Sequence, residues 1–109
     1  MLPRASRVVS GADYRRIVRK GRRISGRTTI AYVDRPTPGA GARFGFIVSR
    51  AVGGAVVRNR VRRRLKAACF AVLADAPERS IVFRALPAAA TAGWDELRDE
   101  VAAAVASRR

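Results

Sequence analysis

The sequence has 109 residues, of which 49% are hydrophobic, enough to build one compact domain with its own core. This length excludes a multidomain enzyme. Lys and Arg total 23 against 8 Asp and Glu and no His, which gives a net charge of +15 at pH 7. Such an excess of positive charge predicts a polyanionic partner, and nucleic acid is the leading candidate.

The basic residues are almost all arginine, and most of them lie in the first two thirds of the chain. Only Lys20 and Lys66 are lysine, and the guanidinium fork of arginine suits phosphate contacts and stacking on bases. Residues 1–66 carry 18 basic and two acidic side chains, whereas residues 67–109 are close to neutral. We therefore expect the binding surface in residues 1–66, with a flexible basic segment over residues 1–9.

Cysteine content and hydropathy indicate the compartment. Cys69 is the only cysteine, so an intrachain disulfide and a thiolate zinc cluster are excluded, and its simplest role is that of a small apolar helix residue. No run of apolar residues reaches the ~18 that a membrane span needs, and the N-terminus lacks the apolar stretch of a signal peptide. We expect a cytoplasmic protein without a membrane partner.

The first half of the chain predicts a basic helix followed by strands. Ser10 begins a capping-box pattern, and the helix that follows ends at Gly21. A short strand is predicted near residues 22–25. Two further strands, over residues 27–33 and 43–49, are joined by a loop rich in proline and glycine.

The second half predicts a long helix, a strand and a last helix. The long helix covers residues 55–74, and its apolar stripe, predicted to face the sheet, comprises Val57, Val61, Leu65, Ala68 and Val72. A short strand over residues 81–84 precedes the last helix, whose predicted buried stripe comprises Trp94, Leu97, Val101 and Val105. The order αβββαβα predicts an α+β sandwich of three helices on about four strands, forming one domain over residues 1–109.

The densest charge lies in the long helix, where residues 58–66 read Arg-Asn-Arg-Val-Arg-Arg-Arg-Leu-Lys. At 100° per residue Arg58, Arg62 and Lys66 align beside the apolar stripe, with Asn59 and Arg63 next to them. Like charges four residues apart destabilise a helix by roughly 0.2–0.5 kcal/mol per pair. The cluster therefore favours an anionic partner that offsets this cost. The alternatives are that single arginines only solvate the helix and that Asn59 orders the neighbouring loop.

A second set of side chains is suited to stacking unpaired bases, namely Tyr14, Val18, Ile30, Tyr32 and Phe46. Packing in the core is the alternative for all of them, and it is favoured for Phe46. The two tyrosines remain open because each hydroxyl needs a partner or water.

Signals for catalysis by the chain itself are absent from the sequence. It has no His, no paired cysteines and no glycine-rich phosphate loop. Asp13 and Asp34, the only carboxylates before residue 75, are explained by a helix cap and a turn. We therefore predict no catalytic residue, no metal site and no small-molecule substrate for the protein alone.

Residues 53–66, Gly-Gly-Ala-Val-Val-Arg-Asn-Arg-Val-Arg-Arg-Arg-Leu-Lys, resemble the signature of the bacterial ribonuclease P protein subunit. The resemblance extends over about residues 7–87. It includes Asp13-Tyr14, Lys20-Gly21, Arg43-Phe44-Gly45, Val48-Ser49-Arg50 and residues 84–87, while the last helix fits only in its pattern.

The resemblance implies a left-handed βαβ crossover and a protein that assists a catalytic RNA. In that family the RNA, with Mg²⁺, removes the 5′ leader of precursor tRNA, so the expected partners are ribonuclease P RNA and precursor tRNA. The implied RNA-binding residues are Arg50, Arg58, Asn59, Arg60, Arg62, Arg63 and Lys66. The implied leader-binding cleft comprises Tyr14, Val18, Ile30, Tyr32 and Ile47.

Three positions depart from the family pattern. Val18 stands where an aromatic residue is frequent, Ala51 replaces a frequent basic residue, and Gly54 replaces a frequent asparagine. Glycine is tolerated as a helix N-cap, and none of these changes alters the arginine helix. The composition alone fits a structural RNA-binding protein, such as a ribosomal protein, equally well.

Overall fold

The structure, a computed structural model, describes residues 2–107. Its main elements are α1 (Gly11–Lys20), β1 (Arg22–Ser25), β2 (Thr29–Val33), β3 (Arg43–Ile47), α2 (Ala55–Val72), β4 (Ser80–Ala85) and α3 (Trp94–Ala106). Short 3₁₀ turns cover Arg4–Ser6, Leu73–Asp75 and Pro87–Ala90. The predicted order αβββαβα and the α+β class are confirmed. No helix of the described residues is both long and apolar enough to cross a bilayer.

The four strands form one mixed sheet in the order β1-β2-β4-β3. β2 pairs antiparallel with both β1 and β4, whereas β3 pairs parallel with β4. Parallel neighbours need a crossover connection, and α2 provides it. The unit β3-α2-β4 is thus the βαβ crossover that the resemblance implies, and its left-handedness stays a prediction.

One side of the sheet, which we call the closed face, is covered by α2 and α3. Ala31 and Val33 of β2 point to this side, as strand alternation requires. The buried residues that meet them from the neighbouring strands and the two helices include Phe44, Ile81, Phe83, Val61, Leu65, Leu97 and Val101. This face holds most of the core, because its cluster contains many more buried residues than the cluster on the other side of the sheet. Each such side chain contributes about 1.5–3 kcal/mol on burial.

The other side, the open face, is covered by α1 and the N-terminal segment, with Leu86 at its margin. Ile30, Tyr32 and Val82 form a smaller apolar cluster here with Ile17 and Val8. Ile17 is the only buried residue of α1. A single short helix with one buried side chain therefore leaves part of this face accessible.

The start of α1 follows the predicted capping pattern. Ser10 is the N-cap, and its hydroxyl oxygen accepts hydrogen bonds from the N–H groups of Ala12 (3.2 Å) and Asp13 (3.4 Å). The helix ends at Lys20, directly before Gly21, as predicted.

The N-terminal segment differs from the expectation of a loose basic tail. Leu2 is only 2% exposed and joins the core of the closed face, while Val8 is buried in the cluster of the open face. The N–H of Val8 donates to the carbonyl of Phe44 (2.8 Å). The expectation was based on the charge of Arg4 and Arg7, whereas the two apolar residues determine how the segment packs.

The last helix is attached to the sheet by a half-buried carboxylate. Glu100 accepts hydrogen bonds from the hydroxyls of Thr28 and Thr29 (both 2.6 Å) and from the N–H of Arg27 (2.9 Å). Burial raises the pKa of Glu100, but these hydrogen bonds outweigh it, and the net pKa is lowered. A Cβ at Gly26 would lie 2.4 Å from the carboxylate carbon, so a larger residue there would displace the Glu100 carboxylate from this position.

Trp94 is a correction to the predicted buried stripe of α3. Its side chain is 37% exposed, whereas Leu97, Val101 and Val105 are buried as predicted. Trp94 is the first residue of the helix, and the small side chain of Ala92 is buried in the connection just before it.

Candidate nucleic-acid interface

A groove of about 280 Å³ lies between α1 and the open face, and we call it the cleft. Its lining residues are Tyr14, Arg15, Val18, Arg19, Ile47 and Arg84. Strand register places Ile30, Arg84 and Ile47 side by side across β2, β4 and β3. The cleft thus combines an apolar floor with positively charged walls.

The structure brings together the five residues predicted for the cleft, with different exposures. Tyr14, Val18 and Ile47 line the groove and are half-buried. Ile30 and Tyr32 are buried in the cluster beneath it, and Tyr32 is only 6% exposed. The first three therefore offer accessible surface, and the other two support it.

Phe46 belongs to the core rather than to the cleft. Its ring stacks on Phe83, with ring centroids 6.4 Å apart, and it packs against the core of the closed face. This contact fits core packing, the alternative favoured for Phe46, while the half-buried ring also lines a groove beside Arg62 and Lys66.

Three arginines that line the cleft, Arg15, Arg19 and Arg84, were not among the predicted cleft residues, and Arg84 is the one contributed by the sheet. It is exposed in the middle of a buried strand, and its guanidinium carbon lies 5.6 Å from the centroid of the Tyr32 ring. This distance fits a cation–π contact. The signal in the sequence was an arginine directly after the apolar run of residues 81–83.

Tyr14 holds α1 against β3. Its hydroxyl oxygen accepts a hydrogen bond from the N–H of Phe46 (3.0 Å). A Cβ at Gly45 would lie 2.7 Å from the Tyr14 ring, so only glycine permits this close approach. The pair of Tyr14 and Gly45 therefore sets the position of one cleft wall.

A second groove, of about 180 Å³, adjoins the basic helix, and we call it the helix groove. Arg62 and Lys66 of α2 line it together with Arg7 and Tyr14. Arg62 also donates to the side-chain carbonyl of Asn59 (3.2 Å), which orients both residues. Because Tyr14 lines both grooves, the basic face of α2 and the cleft meet at this residue.

The remaining predicted RNA-binding residues differ in exposure and in whether they already bind a group of the protein. Asn59, Arg63 and Arg50 are exposed, the last in the turn before α2, and Arg58 is half-buried. Arg60 is exposed too, but its Nη2 donates to the carbonyl of Ala90 (3.0 Å).

A neighbouring arginine, Arg64, donates to the carbonyl of Ala92 (3.1 Å). Together with Arg60, it fastens α2 to the connection before α3. Two arginines of the cluster thus also have a structural role that helix periodicity alone did not indicate.

Both carboxylates of the first two thirds are occupied by arginines. Asp34 binds Arg16 (2.7 Å), and Asp13 lies 3.6 Å from Arg16 and 3.5 Å from Arg43. The hydrogen bond to Asp34 raises the pKa of Arg16. Within residues 2–107 no ion pair involves the cations of the two grooves, which are Arg7, Arg15, Arg19, Arg62, Lys66 and Arg84.

Other candidate groups have local explanations. Arg27 pairs with Glu96 of α3. Cys69 is buried, and this burial raises the pKa of its thiol. No three His, Cys, Asp or Glu side chains of the described part of the chain are grouped so that they could hold a metal ion.

Comparison with known proteins gives a consistent result. Residues 2–108 match the family model described as Ribonuclease P. The chain is 50% identical to the ribonuclease P protein component of Clavibacter michiganensis subsp. michiganensis over 96% of this chain and 94% of the relative. A solved RNase P protein from Staphylococcus aureus is similar in structure, with a TM-score of 0.82, 25% identity and coverage of 93% of this chain and 85% of that one.

Proposed function

The chain belongs to the ribonuclease P protein family, and from this premise we propose that it binds the catalytic RNA of the ribonucleoprotein and the 5′ leader of precursor tRNA. The observation that carries the proposal is the meeting of the helix groove and the cleft at Tyr14. One RNA can then contact α2 while a second strand occupies the cleft beside it.

The chemistry of the cleft supports a single-stranded ligand. Val18 and Ile47 offer apolar surface, Tyr14 offers a ring, and Arg84 offers a planar cation. Such surfaces bind the faces of unpaired bases, at about 1–3 kcal/mol per stacked base. Duplex bases expose only their edges, so the cleft favours an unpaired leader over a helical stem.

The basic face of α2 supports contacts to the phosphates of a folded RNA. Arg62 and Lys66 have no ion-pair partner within residues 2–107, and Asn59 and Arg63 are exposed beside them. Each phosphate neutralised lowers the slope of log affinity against log salt by about 0.7–0.9. We therefore propose that assembly with the RNA depends strongly on salt.

The role proposed for the chain is positioning and charge screening. Mg²⁺, held by the RNA, would supply the metal chemistry of hydrolysis. The cations of the two grooves reduce phosphate repulsion between the RNA and the substrate, and the cleft holds the leader. The proposed consequences are tighter binding of precursor than of mature tRNA and a lower Mg²⁺ requirement.

Leader release from precursor tRNA tests this function directly. We would incubate the purified chain at low Mg²⁺ with and without the ribonuclease P RNA of the same organism. The proposal expects release only when both are present. Release by the chain alone would overturn the assignment of catalysis to the RNA. Failure to stimulate an active RNA, with co-sedimentation of the chain with ribosomes, would favour the structural RNA-binding alternative.

The cleft assignment is best tested at Arg84, because replacing the buried Tyr32 by alanine would also disturb packing. Arg84→Gln should weaken binding of precursor tRNA while binding of mature tRNA changes little. A charge-matched control is Arg98→Ala, which removes a cation that pairs with Asp95 and Asp99 on α3. Equal losses for precursor and mature tRNA would contradict a leader contact.

A further inference from the structure

A third basic concavity lies at the C-terminal end of α1, and we call it the distal pocket. It has a volume of about 230 Å³. Its lining residues are Lys20, Arg22, Val33, Asp34, Arg35, Pro36 and Arg79. Four cations and one carboxylate therefore surround a space large enough for a small anion and several waters.

Arg79 at the back of this pocket is a buried cation that has no counter-ion among residues 2–107. It is 7% exposed, and its Nη2 donates to the carbonyl of Ser107. Its Nε is buried and has no hydrogen-bond partner in the described part of the chain. Among residues 2–107 no carboxylate lies within 4.0 Å of its guanidinium group.

Arg22, a half-buried residue at the start of β1, makes a similar contact. Its Nη2 donates to the hydroxyl of Ser107 (2.6 Å), and its Nε is buried without a hydrogen-bond partner among the residues that the structure describes. Asp34, the one carboxylate among the described residues that line the pocket, is paired with Arg16 at 2.7 Å. The distal pocket thus has positive charge that the described residues leave uncompensated.

One function of these two arginines is to hold the end of α3, because both bind Ser107 directly after that helix. Neutral hydrogen-bond donors would do this without the cost of burying charge. Burial of an unpaired charge is costly, and hydrogen bonds to neutral groups compensate only part of that cost. An anion in the pocket would supply the missing compensation.

We propose that the distal pocket binds a phosphate group. Arg22 and Arg79 form its back and present fixed guanidinium groups, which suit phosphate oxygens. Lys20 and Arg35 are exposed at its rim and can close over the ligand.

A continuous basic surface connects the distal pocket to the cleft. A shallow groove along α1, lined by Ala12, Arg15, Arg16, Arg19 and Lys20, shares Arg15 and Arg19 with the cleft and Lys20 with the distal pocket. The ten residues of α1 span about 15 Å. An RNA strand leaving the cleft along this surface is one source of the phosphate, and free phosphate is the other. Only the RNA source depends on the proposed function.

Titration of the full chain with inorganic phosphate, followed by NMR of the arginine Nε–Hε groups, tests the pocket without any RNA. Chloride at equal ionic strength is the control for screening, and Arg79→Lys identifies the Arg79 signal. The proposal expects saturable shifts of the Arg22 and Arg79 signals. Phosphate that leaves both signals in place, or shifts them no more than chloride does, would overturn it.

The double variant Lys20→Ala/Arg35→Ala separates binding from the structural role, because it leaves both contacts to Ser107 intact. We expect phosphate affinity to fall about tenfold from the loss of two rim cations. The matched control Arg27→Ala/Arg98→Ala also removes two positive charges. Its two arginines lie outside the pocket and pair with Glu96 and Asp95 of α3. Equal losses in both variants would mean a general charge effect and would overturn the pocket.

Precursor tRNAs with short and long leaders distinguish the two sources of phosphate. If the leader supplies it, Lys20→Ala/Arg35→Ala weakens binding of the long-leader substrate and spares the short one. If free phosphate is the ligand, the wild-type chain still shows the phosphate-dependent NMR shifts. Both substrates then bind the Lys20→Ala/Arg35→Ala variant as tightly as they bind the charge-matched control. Either result supports a phosphate pocket and assigns its ligand, whatever the outcome of the leader-release assay.

Discussion

The two faces of the sheet are built from the same strands, yet one is a core and the other a groove. On the closed face α2 alone contributes four buried residues, Val61, Leu65, Ala68 and Cys69, and α3 contributes four more. On the open face α1 contributes only Ile17. The difference lies in how much apolar helix surface covers each face, because strand alternation supplies apolar residues to both.

The covering of each face also decides what charge it tolerates. Arg84 lies between Ile30 and Ile47 on the open face, where its guanidinium stays in contact with solvent. Its neighbours in sequence, Phe83 and Ala85, point to the closed face and are buried. A strand can therefore contribute to a core and to a binding surface at consecutive positions.

The largest expected effect comes from removing a side chain of the closed face. Phe83→Ala should lower the free energy of unfolding by about 3–5 kcal/mol, because a fully buried ring leaves a cavity. Ile47→Ala on the open face is the matched comparison and should cost clearly less, since its side chain is only half-buried. Denaturant unfolding measures both values, and similar losses would contradict the distinction between the faces.

The next effect concerns RNA assembly rather than folding. Arg62→Ala/Lys66→Ala should weaken binding to the RNA subunit by about 10- to 100-fold and reduce the salt slope by about 1.4–1.8 if each residue neutralises one phosphate. The fold should be unaffected, because neither side chain forms an ion pair within residues 2–107. The control Arg27→Ala/Arg98→Ala should leave the slope nearly unchanged. An equal reduction there would mean that net charge, not the helix groove, determines affinity.

A third effect tests how α3 is attached to the closed face. Glu100→Gln should lower the free energy of unfolding by about 1–2 kcal/mol at pH 7, because the amide replaces a charged acceptor of hydrogen bonds from Thr28 and Thr29. The folded pKa of Glu100 is lowered, so its carboxylate stabilises the fold above its ordinary pKa of 4.5. This contribution is lost as the pH falls through the folded pKa.

Unfolding curves of the wild type and Glu100→Gln across acidic pH check this sign. The difference in the free energy of unfolding between the two proteins should be largest at pH 7 and should vanish in acid. Glu96→Gln is the control, because Glu96 pairs with the exposed Arg27 instead of the threonines. A gap that widens in acid would contradict the proposed hydrogen bonding.

The smallest effect sharpens the account of the open face. Tyr14→Phe removes the acceptor of the Phe46 N–H and should lower the free energy of unfolding by about 1 kcal/mol. Hydrogen exchange at the Phe46 amide should become faster, while amides of β2 and β4 at the centre of the sheet stay protected. Unchanged exchange at Phe46 would show that this hydrogen bond does not hold α1 to β3.

The sequence by itself determined the elements and the basic face of α2, because these depend on residues close in the chain. The cap at Ser10, the apolar stripe through Val61 and Leu65, and the alternation in β2 all follow from helix or strand periodicity. The family resemblance added the cleft residues, and these residues do lie together at α1 and the open face.

Only the tertiary structure decided which surfaces are covered and which remain open. It placed Leu2 in the core, left Trp94 exposed, put Arg84 over Tyr32 and brought Arg79 to the end of α3. Periodicity tells which side of an element is apolar, but the neighbour that covers that side comes from distant parts of the chain. Whether a charged side chain meets solvent, a carbonyl or an open groove therefore depends on packing between elements.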